Sequence, residues 1–284
     1  MDLSTTHEPL TDIFSDSAGR SRSLISTKNR KDFERNGFII GVPLLSEEQV
    51  SELWAGLEIL LLHGKTGNPL FYECNLNESK DNDRILFHAL GGWRLSPAFH
   101  DLIFFEPLID CAETLLEGPV RFWHDQVFVK PANNGSVVAW HQDYSYWTRT
   151  VPLAHLTCWI GLDDSDEENG CVHYVPGSHN WHLLPRGDLG NDMKAVFQHL
   201  NSEQMDQFKP VPAIMKAGQA SFHHPMTVHG SYENNSDRPR RGAVINFIRD
   251  GVRSNTNEPL LKGVPLVPMG EKLDGQFFPL LKRR

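Results

Sequence analysis

Cysteine is scarce in this chain of 284 residues, which carries only Cys74, Cys111, Cys158 and Cys171. None of them forms a C-x-x-C pair, so a disulfide framework and a cysteine-rich zinc ribbon are both excluded. Free, mostly buried thiols in a reducing compartment are expected instead. Long hydrophobic runs are also missing, and no stretch reaches the roughly 20 apolar residues that span a bilayer. The first 25 residues mix Ser, Thr, Asp and Arg with no apolar stretch of the secretory kind. A cytoplasmic protein with no membrane partner is the expectation. Positive charge is in deficit, with 27 Lys and Arg against 36 Asp and Glu and a net charge of -9. That balance argues against a nucleic-acid partner, which requires a basic face, yet leaves room for a local basic pocket around a small anion. Repeats and low-complexity tracts are absent. With 39% hydrophobic and 22% charged residues, the chain suffices for one sizeable core.

Patterning divides the chain. Residues 1–25 are polar and aperiodic and are expected to form a flexible tail. Residues 26–284 are expected to be a single domain, with a helical preface at 26–118, a β-rich core at 119–250 and an extension at 251–284. In the preface, Lys28 to Asn36 reads as a short helix stopped by Gly37. Ser46-Glu47-Glu48-Gln49 has the form of a capping box, and Val50, Leu53, Trp54, Leu57, Leu60 and Leu61 follow at helical spacing. Ser96-Pro97 and Glu106-Pro107 place proline where helices begin, and Gly118 closes the second of these. From residue 119 onward, short β-branched and aromatic runs alternate with turn signals, at 121–130, 136–143, 155–162, 171–175, 219–224, 227–231 and 241–248. Asn169-Gly170 has the composition of a hairpin turn. The pattern predicts a mainly β protein with flanking helices, a β-sandwich or jelly roll. A polar insert at 182–210 is expected to form a lid or pocket wall.

Two segments carry chemistry. In Trp140-His141-Gln142-Asp143, strand alternation sends His141 and Asp143 the same way and Gln142 the other. An imidazole and a carboxylate on one face are two ligands for a borderline divalent metal, and a third must come from elsewhere. Phe222-His223-His224-Pro225-Met226-Thr227-Val228-His229-Gly230-Ser231 supplies candidates, with His229 favoured over His224 because Gly230 and Ser231 keep the backbone close. Two histidines and one carboxylate with open positions form the facial set that suits non-haem Fe(II). A strand out and a strand back would return Arg240 to the neighbourhood of Ser231. A guanidinium fork and a hydroxyl together can clamp a carboxylate.

The order His141-Gln142-Asp143-x-x-Tyr146-Trp147, Glu168-Asn169-Gly170-Cys171, Pro176-Gly177-Ser178-His179, His229-Gly230-Ser231 and Arg240 resembles the phytanoyl-CoA dioxygenase family over roughly residues 30 to 250. The resemblance implies a double-stranded β-helix (jelly roll, cupin-like) core that binds Fe(II), 2-oxoglutarate as cosubstrate and O2. By motif, His141, Asp143 and His229 match the iron ligands. Arg240 and Ser231 match the residues at the distal carboxylate of 2-oxoglutarate, Trp159 an aromatic flanking it, and Gln126 a residue at its other end. The implied reaction oxidises an unactivated C–H bond of a small organic substrate while 2-oxoglutarate becomes succinate and CO2. With Asp143 in place of the small residue that halogenating relatives carry, hydroxylation or a related oxidation is favoured. On periodicity alone Trp159 is equally a core residue, and Tyr144, Tyr146 and Trp147 are equally cavity wall or surface. The rival function is a non-catalytic cupin-like jelly roll that binds a small ligand or a metal, since fold does not fix function.

Overall fold

The protein was described from a computed structural model, which covers residues 1–15, 23–190 and 192–282. In chain order the strands are β1 (Phe38–Pro43), β2 (Glu73–Asn75), β3 (Phe87–Leu90), β4 (Val120–Lys130), β5 (Val138–His141), β6 (Thr150–Val151), β7 (His155–Gly161), β8 (Val172–Tyr174), β9 (Val211–Pro212), β10 (Gln219–His223), β11 (His229–Ser231), β12 (Arg240–Arg249) and β13 (Arg253–Ser254). They form a seven-stranded sheet, β1-β10-β7-β12-β4-β3-β2, and a four-stranded sheet, β5-β11-β8-β9, while β13 and β6 pair separately. Every strand pair is antiparallel. The helices are α1 (Thr27–Asn36), α2 (Glu47–Lys65), α3 (Pro97–Leu102), α4 (Glu106–Leu116), α5 (Tyr144–Trp147) and α6 (Ser202–Gln207). The architecture is therefore mainly β with flanking helices, as the strand-and-turn pattern predicts.

Side-chain alternation explains the layers. Leu53, Leu57 and Leu60 of α2 join Phe99 and Leu102 of α3 and Leu108 and Ile109 of α4 in the main core. They meet the outward-facing Phe122, Val127, Cys158, Ile160, Ile245 and Phe247 of the large sheet. Burying each large apolar side chain contributes about 1.5–3 kcal/mol, so this layer fixes the helices on one face of the large sheet and leaves the other face to the small sheet. Trp159, Val172, Tyr174 and Val244 pack in a second cluster that joins residues of both sheets. The 182–210 insert covers the small sheet, with Leu184 and Val196 buried on Trp140 and Val228. No helix among the described residues is long and apolar enough to cross a membrane.

Local signals hold where the chemistry is local. Ser26–Asn29 and Ser46–Gln49 both close capping boxes, and Gly37 ends α1 in the left-handed region at φ 84°. Four expectations change. The helical preface is not purely helical, because β1, β2 and β3 join the large sheet; runs this short are carried by long-range pairing rather than by periodicity. Glu117 rather than Gly118 takes the left-handed cap of α4, at φ 55°. Asn169-Gly170 does turn the chain, with Gly170 at φ 75°, but it crosses from β7 in one sheet to β8 in the other instead of closing a hairpin. The tail is not loose over its first part, since Phe14 is buried and the Leu10 and Thr11 amides each donate to the Asp101 carboxylate at 2.8 Å. Residues 16–22 of that tail lie outside the described residues.

Asp125 ties the preface to β4. It is fully buried and accepts the Gly91 amide at 3.1 Å and the Trp93 amide at 2.8 Å. Replacing it with alanine strands two buried donors at about 1–3 kcal/mol each. The Asp125→Ala variant should lose about 2–6 kcal/mol of unfolding free energy. Urea denaturation would show this as a lower midpoint at unchanged slope.

Candidate active site

β5 and β11 are neighbours in the small sheet, and their register pairs His141 directly with His229. The two imidazole centroids are 4.2 Å apart. Gly230 permits this close pairing, since a Cβ there would come within 2.8 Å of the Val138 carbonyl. The strand ends at His141, and Asp143 adopts a helical backbone at the start of α5. Asp143 thus reaches the histidines by a turn of the chain rather than by strand alternation. Gln142 points away, as expected, accepting the Leu184 amide at 2.7 Å and donating to the Met226 carbonyl at 2.9 Å.

The three side chains converge closely enough to hold a metal ion. Asp143 Oδ1 lies 3.5 Å from His141 Nε2 and 3.6 Å from His229 Nε2. His141 Nδ1 faces the Ala139 carbonyl at 2.8 Å, and His229 Nδ1 faces the Thr227 carbonyl at 3.0 Å. A carbonyl only accepts, so each Nδ1 carries the proton and each Nε2 keeps its lone pair for the space it shares with Asp143 Oδ1. One oxygen and two nitrogens on a single side fit a non-haem divalent iron centre. Burial pushes the Asp143 carboxyl up, but the imidazoles of His229, His141 and His223 outweigh it and hold the group well below the usual carboxylate range. Burial, reinforced by His141 and His223, holds His229 well below an ordinary imidazole. His224 takes no part: its Nδ1 accepts the Met226 amide and its ring faces His179.

A second pole lies in the same cavity. Arg240 is fully buried, and its Nε and Nη2 donate to the Gly170 carbonyl at 3.1 and 2.9 Å, leaving three of its five N–H groups free of that carbonyl. Its guanidinium lies over Trp159, 5.1 Å from the ring centroid. Gly242 makes room for that ring, since a Cβ there would come within 2.6 Å of it. Ser231 does line the cavity with Arg240, but by facing it across the sheets, because β11 and β12 belong to different sheets. Lys130, to which sequence reasoning assigned no role, is Arg240's register partner on β4. It is also fully buried and donates to Ser231 Oγ at 2.7 Å. Burial lowers Arg240 to about 10; burial and then Arg240 push Lys130 well down. Arg240 has no carboxylate partner among the described residues, whereas the Lys130 amine spends its donors on the Ser231 hydroxyl and on the carbonyls of Ser231 and Tyr232. A buried guanidinium without a counter-ion is costly unless an anion joins it.

Both poles open on one cavity of about 340 Å³. Gln126 lines it and meets His88 Nε2 at 2.9 Å, while His88 Nδ1 donates to Glu78 at 2.5 Å. A bulge in β4 pairs His124 with Asn246 and Phe122 with Phe247, so Trp123 is the extra residue and both Trp123 and His124 line the cavity. Tyr146 and Trp147 are cavity wall; Tyr146 stands edge-on to His141 at 5.8 Å and carries Arg186 over its ring at 4.9 Å. From the insert, Arg186 to Gly190 reach the cavity, whereas Lys194 and Gln198 do not line it. Arg149 donates to the carbonyls of Pro259 and Leu260, holding the 259–262 segment against the opening.

Beneath this wall, His124 and His155 are buried without charge. Burial lowers His124 to about 4 and His155 to about 3, from an ordinary 6.5. Below pH 6.5 the unfolded chain takes up protons that the folded chain refuses, so both histidines subtract stability as pH falls from 6.5 toward 4 and 3. Asp125, raised to about 7 by burial, acts oppositely and contributes stability that is lost as pH rises toward 7. Replacing one histidine isolates its share. His155→Phe, which keeps a ring against Trp147, should flatten the pH dependence of unfolding between pH 6 and 4 by close to one proton, about 1.4 kcal/mol per pH unit. Chemical denaturation with a metal chelator present would measure this; an unchanged slope would refute it.

The sequence profile of the phytanoyl-CoA dioxygenase family matches residues 33–242. An ectoine dioxygenase of Bordetella parapertussis is 25% identical over 256 residues, spanning 85% of this chain and 80% of that protein. In fold, the chain is similar to the 2-oxoglutarate-dependent carbocyclase SnoK of nogalamycin biosynthesis, at TM-score 0.73 and 22% identity over 92% of this chain and 99% of the other. It is also similar to the epimerase SnoN crystallised with Fe3+, α-ketoglutarate and nogalamycin RO, at TM-score 0.71 and 24% identity over 89% and 97%. With its large antiparallel sheet, its smaller partner and the residue span matched, the chain belongs to the phytanoyl-CoA dioxygenase family of Fe(II)- and 2-oxoglutarate-dependent oxygenases.

Proposed function

We propose that His141, Asp143 and His229 hold Fe(II), that Arg240 and Ser231 anchor the distal carboxylate of 2-oxoglutarate with Lys130 holding the Ser231 hydroxyl in place, and that the enzyme hydroxylates or otherwise oxidises an unactivated C–H bond of a small organic substrate. The observation that carries this reading is the buried Arg240 guanidinium, with donors left over and no carboxylate partner among the described residues, facing a three-ligand centre across one cavity. A dicarboxylate joining the poles would neutralise both, and a non-catalytic metal-binding jelly roll has no use for the second. When bound, iron with 2-oxoglutarate and O2 supplies the oxidising chemistry that side chains lack. The residues bind, orient and exclude water. Trp159 forms the floor beneath the guanidinium, and Gln126 borders the cosubstrate's other end. Trp123, Tyr146, Trp147 and the segments 186–190 and 259–262 hold the substrate against the centre and close it from solvent.

Residues 26–284 act as one oxygenase unit in this reading. The cysteines stand as thiols, which supports a reducing, cytoplasmic setting, and the net charge of -9 argues against nucleic acid as partner.

Succinate release in the presence of Fe(II), ascorbate and 2-oxoglutarate tests the assignment. Asp143→Ala should lower it by more than about 100-fold, beyond the effect of losing an outer partner of a ligand. Arg240→Ala should weaken 2-oxoglutarate binding by about 30-fold or more, as expected for a buried charged contact. Full activity and full 2-oxoglutarate affinity in both variants would overturn the reading.

A further inference from the structure

Asp143 has two carboxylate oxygens, and only one of them faces His141 and His229. The other, Oδ2, accepts the Thr157 hydroxyl at 2.6 Å and meets His223 Nε2 at 3.0 Å. Thr157 on β7 and His223 on β10 are register partners, so their side chains leave the large sheet side by side on its inner face. All three groups are buried. A carboxylate only accepts, so His223 Nε2 carries a proton and cannot offer a lone pair to a metal there. His223 Nδ1 faces the Tyr174 hydroxyl at 3.3 Å, and that hydroxyl meets Ser221 Oγ at 2.7 Å. Tyr174 comes from the small sheet, and Ser221 and His223 from the large one, so the chain of contacts spans both layers.

We infer that Thr157 and His223 are positioning residues: they occupy Oδ2 and leave Asp143 a one-oxygen ligand. This rests on the metal-centre reading above. Asp143 stands just past the end of β5, where strand pairing no longer fixes the side chain, and a free carboxylate could swing to offer both oxygens. Two donors arriving from a rigid sheet prevent that. The consequence is an open coordination position, which a facial three-ligand centre needs for its cosubstrate and oxygen. Three imidazoles crowd this carboxylate, with His223 and His229 centroids only 4.3 Å apart. The hydrogen-bond directions separate their roles: His141 and His229 turn Nδ1 to backbone carbonyls and keep Nε2 open, whereas His223 spends Nε2 on Asp143.

Anaerobic titration of the full chain with Co(II), followed by calorimetry and visible absorption, tests this. Thr157→Val keeps the shape and removes the donor; His223→Leu removes the imidazole. Each should weaken Co(II) binding by about 10–100-fold and alter the Co(II) absorption bands. Thr157→Ser and His223→Gln restore a donor at the same place and should return affinity and spectrum toward wild type. Circular dichroism and thermal melting check that each variant is folded, and the two restoring variants carry the test if a removing variant is not. Wild-type affinity and spectrum in both Thr157→Val and His223→Leu would overturn the inference. So would His223→Gln losing Co(II) as completely as His229→Ala, which would make His223 a ligand. Failure of the wild-type chain to bind Co(II) would overturn the metal-centre reading itself, a result distinct from either.

Discussion

A single buried carboxylate organises this molecule. Asp143 is removed from water, a costly position for a charge, and it is tolerated because polar partners surround it on every side that matters. Two imidazole nitrogens face one oxygen, and a hydroxyl and a third imidazole hold the other. Those partners come from four strands in two sheets. The β5–β11 register sets the histidine pair, and the β7–β10 register sets the Thr157–His223 pair. A one-residue slip in either would turn the needed side chains to the wrong face. Much of the architecture can be understood as the scaffold that keeps these two registers in place, with α2, α3 and α4 bracing the outer face of the large sheet.

The charge pattern has a matching logic at the other end of the cavity. A chain with a net charge of -9 keeps Lys130 and Arg240 buried and without acidic partners. A buried guanidinium is costly unless something neutralises it, and the Gly170 carbonyl that Arg240 meets only softens the cost. The Lys130 amine is pushed well down and held by Ser231 and Tyr232. The cavity is therefore polarised, with the Arg240 guanidinium at one end and His141, Asp143 and His229 at the other. In the proposed reading a dicarboxylate would lie between the poles, leaving the aromatic side, at Trp123, Tyr146 and Trp147, for the molecule to be oxidised. The bulge that exposes Trp123 beside His124 widens that side without breaking the β4–β12 ladder.

How much could be read in advance varies residue by residue. His141, Asp143, His229, Arg240 and Ser231 were legible because their types and order carry specific chemistry, and Trp159 and Gln126 followed from the same resemblance. Lys130 was not, since a lysine at a strand end ordinarily reaches solvent, and only its pairing with Arg240 and the overlying Ser231 reveals that it is enclosed. His223 was masked by its neighbour His224. Strand alternation sends one inward and one outward, and the register with Thr157 decides which. The strands β1 and β3 escaped notice inside a helical stretch because four to six residues carry little periodic signal before a partner strand is known.

What the amino-acid order alone determined is the inventory: two imidazoles and a carboxylate for a metal, a guanidinium and a hydroxyl for an anion, capped helices and short alternating strands. These depend on side-chain chemistry and on neighbours within a few residues. Tertiary structure decided the rest: which histidines face Asp143 Oδ1 and which meets its Oδ2, that Lys130 pairs beside Arg240, and that β11 and β12 face one another across a cavity rather than pairing as a hairpin. Those choices depend on the register of strands far apart in the chain, and register is set by the burial of whole faces, a property that no short segment carries by itself.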